Sequence, residues 1–250
     1  MLKVMIDPGH NYSGADTGAQ GNGLREQDVT FHVSEKLAVF LRDMGLDVRM
    51  TRNRLEDNVG NGTLSSSLNT RADMANEWGA DIFVSVHCNS GGGTGVETYC
   101  YRKSGEAGRL AQDIQTELVA ASGLRDRGVK TKNLLVLRKT LMPAVLAEIG
   151  FIDSATDSAL FRDDAGQQEI ADGIAQGIAN YFGIRRPEPE VQPIVEPIYN
   201  WTLEVPEWGR STIQKLLDKG WLRGDESGAL GLTETAVRLL VINDRAGLYN

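Results

Sequence analysis

Residues 1–29 read MLKVMIDPGHNYSGADTGAQGNGLREQDV, which is the pattern of a strand, a glycine-rich loop and a helix. The apolar run 2–6 predicts a short strand that stops at an Asp-Pro-Gly-His motif ending in His10. After the loop, Glu26 stands at the predicted helix start, and apolar residues then recur at helical spacing. The chain therefore begins with a histidine at a strand end and a glutamate at the next helix start.

The composition limits the classes of function. The chain has 250 residues, of which 41% are hydrophobic, and this is enough for one folded core and a small second module. Its net charge of −8 argues against a general nucleic-acid binder, which would carry a basic excess. No apolar run approaches the roughly 18–20 residues of a membrane span. The two cysteines, Cys88 and Cys100, are too few for a disulfide-stapled scaffold and predict free thiols made in a reducing compartment.

Proline density marks the domain boundary. Four of the seven prolines fall at positions 187, 189, 193 and 197, where they favour an extended spacer over a helix or a central strand. We therefore predict a large domain over 1–183, a Pro-rich linker over 184–204 and a small C-terminal module over 205–250.

Strand and helix patterns alternate through the large domain. The predicted strands are 2–6, 46–50, 81–86, 94–101, 134–137 and 144–149. The predicted helices are one from Glu26 to a stop at Gly45, SLNTRADMANEWG, GRLAQDIQTELVAAS and residues 163–182. This alternation predicts an α/β fold with a mainly parallel, twisted sheet and helices on both faces. The polar stretch 53–68 is expected to be a loop, either a mobile flap or an insertion near a site.

Four residues with metal or acid–base chemistry fall where α/β sites form. His10 and His87 each close a predicted strand, and ligands gather at the carboxyl ends of strands. Glu26 opens the first helix, and Glu148 lies near the end of the strand 144–149. Two imidazoles and one carboxylate, with water in the fourth position, form a catalytic zinc arrangement. The second carboxylate is then available as a base.

Simpler explanations exist for both carboxylates. Glu26 could serve only as a negative charge at the helix amino end, and the pattern alone balances this evenly against a ligand role. Glu148 interrupts an apolar run, and a buried carboxylate without a partner is costly. A structural ion pair is the alternative for Glu148.

Three other candidates are assigned no functional role. We expect His32 on the exposed or flanking side of the first helix, without a partner. Cys88 follows His87 in a strand, so its side chain should point to the opposite face and pack as a small buried residue. Cys100 is interpreted in the same way.

Eight segments, in order, resemble the zinc-dependent N-acetylmuramoyl-L-alanine amidases of the amidase-3 type, found in bacterial autolysins and phage endolysins. They are IDPGH at 6–10, GLREQDV at 23–29, TR at 51–52, NTRADMAN at 69–76, SVHCNS at 85–90, GVETY at 95–99, RGVKTKNLLVLR at 127–138 and PAVLAEIGFIDS at 143–154. The resemblance implies that His10, Glu26 and His87 hold one catalytic zinc ion and that Glu148 is the catalytic base. The chain departs from the family pattern at Cys88, where alanine is frequent, and this small change should not disturb the ligands.

The resemblance implies a peptidoglycan hydrolase. Zinc-activated water would cleave the amide bond between N-acetylmuramic acid and L-alanine of the stem peptide, with Glu148 accepting its proton. The sequence lacks a secretory signal pattern at its start, which favours a phage endolysin of a Gram-positive, clostridial-type host. Such a protein would be made in the host cytoplasm and reach the wall through a holin-type membrane lesion. The alternatives are a bacterial autolysin or sporulation amidase, another zinc peptidoglycan hydrolase such as a carboxypeptidase or deacetylase, and a non-catalytic wall-binding protein.

The small module is predicted to be helical. Two helices with short apolar faces, the second capped by Thr233, are marginal alone, so docking or pairing is expected. The apolar positions are Ile213, Leu216, Leu217, Val237, Leu240 and Val241. The charges of 205–250 balance. We expect this module either to bind the cell wall or to form a homodimer.

Overall fold

The computed structural model describes residues 1–185 and 196–249. The chain divides into two compact units, Met1–Arg186 and Pro187–Asn250. The centre of the predicted linker, with the prolines at 187, 189 and 193, lies outside the described residues.

The first unit alternates strands and helices, as the sequence predicts. In chain order its elements are β1 (Lys3–Pro8), β2 (Gln20–Gly21), β3 (Leu24–Arg25), α1 (Glu26–Asp43), β4 (Asp47–Met50), α2 (Leu64–Trp78), β5 (Ile82–Asn89), β6 (Val96–Cys100), α3 (Glu106–Ser122), β7 (Asp126–Thr131), α4 (Leu135–Lys139), β8 (Ala144–Phe151), α5 (Ala155–Arg162) and α6 (Asp164–Phe182).

The central sheet has six strands in the order β4-β1-β5-β8-β6-β7. Its pairs are parallel except for β6 against β8, which is antiparallel. Apolar side chains of α1, α3 and α6 build the core on one face, and those of α2 and α4 build a smaller core on the other. The predicted α/β class, with a mainly parallel sheet covered on both faces, is confirmed. Because β1, β5 and β8 are neighbours, their carboxyl ends meet at one edge of the sheet.

One predicted strand of this unit is wrong, and one strand of the central sheet was not predicted. The apolar run 134–137 belongs to helix α4, where Val136 and Leu137 are buried. So short an apolar run fits a buried strand or a buried helix turn equally well. The strand β7, with the sequence DRGVKT, was not predicted because it is a polar strand at the edge of the sheet, where β6 is its one partner among the described residues.

Helix α2 begins earlier than predicted. The Thr63 side chain accepts a hydrogen bond from the Ser66 backbone N–H and caps the helix, which starts at Leu64. Residues 64–68, predicted as the end of the polar loop 53–68, are therefore helical. The run of serines is typical of a loop, but serine next to a threonine cap is equally compatible with a first helical turn.

The second unit contains β9 (Ile198–Tyr199), α7 (Glu207–Asp218), β10 (Leu232–Thr233) and α8 (Glu234–Arg245). β9 and β10 pair antiparallel, and Thr233 caps α8 by accepting from the Ala236 N–H, as predicted. The small core consists of Val205, Ile213, Leu232, Val237 and Val241. The module predicted to start at 205 thus extends further towards the amino terminus, since β9 falls in the stretch predicted as linker. In the described part of the chain, no helix has both the length and the apolar character needed to cross a bilayer.

Candidate metal centre

His10 lies directly beyond β1 in an unusual backbone conformation. Its φ angle is +65°, in the left-handed region, which a non-glycine residue adopts at a cost of about 1–3 kcal/mol. The preceding Gly9 has no room for a side chain: a Cβ atom there would lie 2.6 Å from the His87 ring and from the Val86 carbonyl oxygen. The Gly9 N–H donates to that same carbonyl at 2.9 Å. The loop after β1 is therefore held against β5, and His10 is brought close to His87.

Glu26 is the first residue of α1, and its carboxylate is buried between the two histidines. Its Oε1 atom lies 3.2 Å from His10 Nε2 and 3.1 Å from His87 Nδ1. The backbone N–H groups of Cys88 and Ala19 donate to Oε1 and Oε2 at 2.9 and 2.8 Å. A carboxylate that served only as a negative charge at the helix amino end would not point at two imidazoles. The geometry of Glu26 therefore fits a ligand role better than a helix-end role.

These three side chains have the donor types of a zinc site, and the two donor distances to Glu26 fit the spacing of zinc ligands. One donor atom from each of His10, Glu26 and His87 can be chosen so that all three lie within 4.8 Å of one another. Donors bound tetrahedrally to one zinc ion at ~2.0–2.1 Å lie roughly 3.3 Å apart. The two contacts with Glu26, at 3.1 and 3.2 Å, match that spacing. Three protein ligands leave one position open, which is the arrangement of catalytic zinc sites.

The electrostatics of this group favour a bound cation. Burial alone raises the pKa of Glu26, but hydrogen bonds and charges from His10 and His87 outweigh it and hold the pKa well below its usual range. Burial alone lowers the pKa of His10, but Asp16 and Glu26 raise it to about 9. Glu26 is therefore ionised, and a metal ion at this position would take the place of the proton on His10.

Asp16 orients His10 from the side opposite Glu26, and the sequence analysis did not identify it. His10 Nδ1 lies 3.1 Å from Asp16 Oδ1, which leaves Nε2 directed towards Glu26. The Ser67 hydroxyl donates to Asp16 Oδ2 at 2.5 Å, and an Arg71 nitrogen lies 3.7 Å from it. Metal-binding histidines commonly use their second ring nitrogen for such a carboxylate. A carboxylate in the same loop, six residues after His10, was the available signal.

Arg71 fixes the backbone of the motif that carries His10. Its side chain is 1% exposed, and its guanidinium donates to Asp7 Oδ1, the carbonyls of Pro8 and His10, and Asn11 Oδ1, all at 2.7–2.8 Å. Arg71 falls in the NTRADMAN segment, but its role depends on the strand packing and could not be inferred from the segment itself.

Glu148 lies on β8, in register with His87 on β5. Its Oε2 atom is buried and has no hydrogen-bond partner within residues 1–185 and 196–249. Burial raises its pKa to about 7; the charge of His87 opposes this shift, and those of Glu26 and Glu97 add to it. An unpaired carboxylate that can take up and release a proton near neutral pH has the properties of a general base.

The structure also shows the surroundings of His32, Cys88 and Cys100, the three residues to which the sequence assigns no functional role. His32 is half-exposed on α1, but its Nδ1 lies 3.4 Å from Glu35 Oε2, so the expectation that it has no partner is wrong. Residues three apart on a helix are neighbours, which explains the contact. Cys88 and Cys100 are buried and free, as predicted. Burial raises the pKa of the Cys88 thiol well above its usual range, with Glu26 and Glu148 adding to the shift, and this keeps it neutral.

Comparison with known proteins gives a consistent result. Residues 4–180 match the family model of amidase-3, described as N-acetylmuramoyl-L-alanine amidase. The sporulation-specific N-acetylmuramoyl-L-alanine amidase of Bacillus subtilis (strain 168) is 40% identical over 187 residues, covering 74% of this chain and 70% of that protein. The endolysin of Bacillus phage SPP1 is 36% identical over 191 residues, covering 73% of this chain and 67% of that protein.

A solved structure agrees with the sequence matches. The catalytic domain of CwlV, an N-acetylmuramoyl-L-alanine amidase from Bacillus (Paenibacillus) polymyxa var. colistinus, superposes with a TM-score of 0.65 at 34% identity. The match covers 74% of this chain and 100% of that domain. The chain therefore belongs to the amidase-3 family of N-acetylmuramoyl-L-alanine amidases.

Proposed function

We propose that this enzyme hydrolyses the amide bond between N-acetylmuramic acid and L-alanine of the peptidoglycan stem peptide. In this proposal His10, Glu26 and His87 hold one Zn²⁺ ion and Glu148 is the catalytic base. The main support is the convergence of three donor atoms, all within 4.8 Å, beside a buried Glu148 oxygen that has no hydrogen-bond partner among the described residues. The family is generally zinc-dependent, and its substrate is peptidoglycan.

A zinc ion at this position would supply a Lewis acid that lowers the pKa of water and polarises the scissile carbonyl. Glu148 takes the proton of the attacking water and delivers it to the leaving amino group of L-alanine. Its pKa of about 7 suits both steps at neutral pH. Glu26 stays ionised between the two imidazoles, and Asp16 holds the ring of His10 in one orientation.

Product analysis on purified walls tests the reaction. We expect new amino ends on L-alanine, without new reducing sugars, free D-alanine or acetate. Reducing sugars would instead indicate a glycosidase, D-alanine a carboxypeptidase and acetate a deacetylase.

The variant Glu148→Gln tests the base. We expect it to bind one zinc ion per chain, as the wild type does, and to lose about 10²–10⁴-fold in rate. Glu77→Gln is a matched control, since Glu77 is exposed on α2. Lysis by Glu148→Gln at the wild-type rate would show that another group is the base.

We further propose that the enzyme acts at the cell wall, as a phage endolysin or as a bacterial autolysin. Relatives of both kinds support this, since they include an endolysin and a sporulation-specific amidase. The second unit would bind wall polymer or pair two copies. Light scattering and wall sedimentation of the full chain, beside a chain ending at residue 185, distinguish these roles. Loss of sedimentation on truncation supports wall binding. A full chain with the mass of two copies, and a truncated chain with the mass of one, support pairing.

A further inference from the structure

The face of the sheet that carries Glu148 continues across β6 onto the edge strand β7. Glu97 on β6 is the register partner of Glu148 on β8, and Tyr99 follows two residues later on the same face. Lys130 on β7 is the register partner of Tyr99. Side chains on β7 are therefore neighbours of the proposed active site along a continuous surface.

A buried carboxylate organises this surface. Glu97 is 2% exposed, and its Oε2 accepts from Arg127 Nε at 2.6 Å and from Lys130 Nζ. Its Oε1 accepts from the Tyr99 hydroxyl at 2.7 Å and from Asn89 Nδ2 at 2.9 Å. One carboxylate thus holds two cations in fixed positions, and their side chains remain 27% and 38% exposed.

Lys132 adds a third positive charge. It is exposed, and its Nζ lies 5.3 Å from the centre of the Tyr99 ring. Its charge reaches the active site, because it acts to lower the pKa of Glu148. Within the described ranges it forms no salt bridge with an acidic side chain. Three cations against the carboxylates of Glu97 and Glu148 give this surface a net positive charge, in a chain whose net charge is −8.

We propose that Arg127, Lys130 and Lys132 form an anion subsite that binds a free carboxylate of the stem peptide. The proposal rests on the function proposed above and extends it to substrate selection. Neutralising Glu97 requires only one of its two cations, so the pairing of Arg127 and Lys130 with Glu97 leaves a positive charge on this surface. Arg127 and Lys130 are pre-organised by Glu97, which lowers the entropy lost when an anion binds. Lys132, which is exposed beside the Tyr99 ring, can contact the same ligand.

A different role for these lysines is protection of an edge strand, since charges there block pairing with other chains. That role predicts no discrimination between substrates. A pair of substrates that differ in one charge therefore separates the two explanations.

The experiment uses two synthetic muramoyl tripeptides that are identical except that the α-carboxyl group of the second amino acid is free or amidated. We expect the wild-type enzyme to hydrolyse the free acid with a kcat/KM about 10-fold higher, mainly through KM, because a charge-assisted hydrogen bond is lost with the amide. Lys132→Gln should remove most of this preference, by lowering kcat/KM for the free acid towards the value for the amidated substrate. Lys132→Arg should retain the preference. Lys36→Gln on α1, where Lys36 pairs with Asp164, removes the same charge elsewhere and is the control variant.

The outcomes distinguish the two proposals. If both substrates are cleaved at the lactyl–alanine bond with equal kcat/KM, or if Lys132→Gln slows both equally, the subsite is wrong and the amidase activity stands. If the wild type cleaves neither substrate at that bond while remaining zinc-loaded and folded, the proposed function fails, and the subsite fails with it.

Discussion

The two units of this protein differ in whether their charged side chains are buried. The first unit buries several acidic and basic side chains, namely Asp7, Asp16, Glu26, Arg52, Arg71, Glu97 and Asp157. In the second unit, across residues 196–249, Thr212 is the one polar side chain that is buried, and every charged side chain reaches solvent. Each fold has an apolar core, so burial of charge is not needed to make a compact unit. Buried charge occurs in the unit that is proposed to carry the catalytic site.

The difference has an energetic meaning. Removing a charge from water costs several kcal/mol unless partners and hydrogen bonds compensate. In the first unit the compensation is a network: Arg71 is shared by Asp7, Asp16 and two carbonyls of the His10 motif. In the second unit, charged pairs such as Arg238 with Glu234 are partly exposed, and such pairs contribute little. The contrast predicts that charge-removing substitutions have large effects in one unit and small effects in the other.

Arg71→Met should have the largest effect on stability. It leaves Asp7 and Asp16 buried without their cation, and breaking a buried pair in this way costs about 3–5 kcal/mol. Hydrogen exchange resolved by peptide, with a chelator present so that zinc does not contribute, measures the free energy of opening of residues 1–185. Exchange of residues 196–249 serves as the internal control. A loss below about 1 kcal/mol in the first unit would mean that the network is not stabilising.

Asp16→Asn should weaken zinc binding while leaving the three proposed ligands in place. Asparagine keeps an oxygen near His10 Nδ1 but loses the charge that fixes the ring, and loss of such a partner typically costs 10–100-fold in metal affinity. Competition with a chelating dye measures the affinity directly. Asp43→Asn, at the exposed end of α1, is the control. Unchanged affinity would show that Glu26 alone positions His10.

The residues of this site that could be predicted from the sequence are those whose positions follow from the local sequence pattern. His10, Glu26 and His87 stand at strand ends and a helix start, and these positions follow from apolar periodicity and turn residues within a few positions of each. The mainly parallel sheet follows from strand–helix alternation. The family resemblance then moved Glu26 from an even choice to a ligand prediction, and the structure places its carboxylate between the two imidazoles.

The parts that sequence missed depend on which strands become neighbours. Asp16 and Arg71 are 55 positions apart, and Glu97 meets Arg127 and Lys130 only through the pairing of β6 with β7. The strand β7 itself was missed because its pattern is polar. Apolar periodicity indicates which residues are buried against a core. Ion-pair networks depend instead on the register between paired strands, and the sequences of short polar strands specify that register weakly.

The pH dependence of stability should show the contribution of Glu97. Burial raises its pKa, but Lys130, Tyr99 and Arg127 outweigh this and lower it to about 2, against 4.5 ordinarily. The unfolded chain takes up this proton at a higher pH than the folded one. The stabilisation is therefore complete above about pH 4.5 and is lost as the pH falls towards 2.

Measurements between pH 5 and 3 test this dependence. The wild-type first unit should lose about 1–2 kcal/mol more of its free energy of unfolding than Glu97→Gln loses over the same interval. The exposed Glu77→Gln should follow the wild-type curve. Parallel curves for Glu97→Gln and the wild type would show that the carboxylate titrates normally, and that the cations around it are not held by its charge.

Arg238→Ala in the second unit should have the smallest effect. Arg238 is 63% exposed, pairs with Glu234 at 2.7 Å one turn earlier on α8, and lies 5.2 Å from the Trp208 ring. An exposed helix pair contributes about 0.3–0.5 kcal/mol, and an exposed cation–π contact about 0.5–1 kcal/mol. We expect the free energy of opening of residues 196–249 to fall by at most about 1 kcal/mol. In about 0.5 M salt the loss should be smaller still, because exposed charges are screened. A loss of about 3 kcal/mol that persists in salt would place Arg238 in the same class as Arg71. Buried charge would then no longer distinguish the unit proposed to carry out the reaction from the unit proposed to bind or pair.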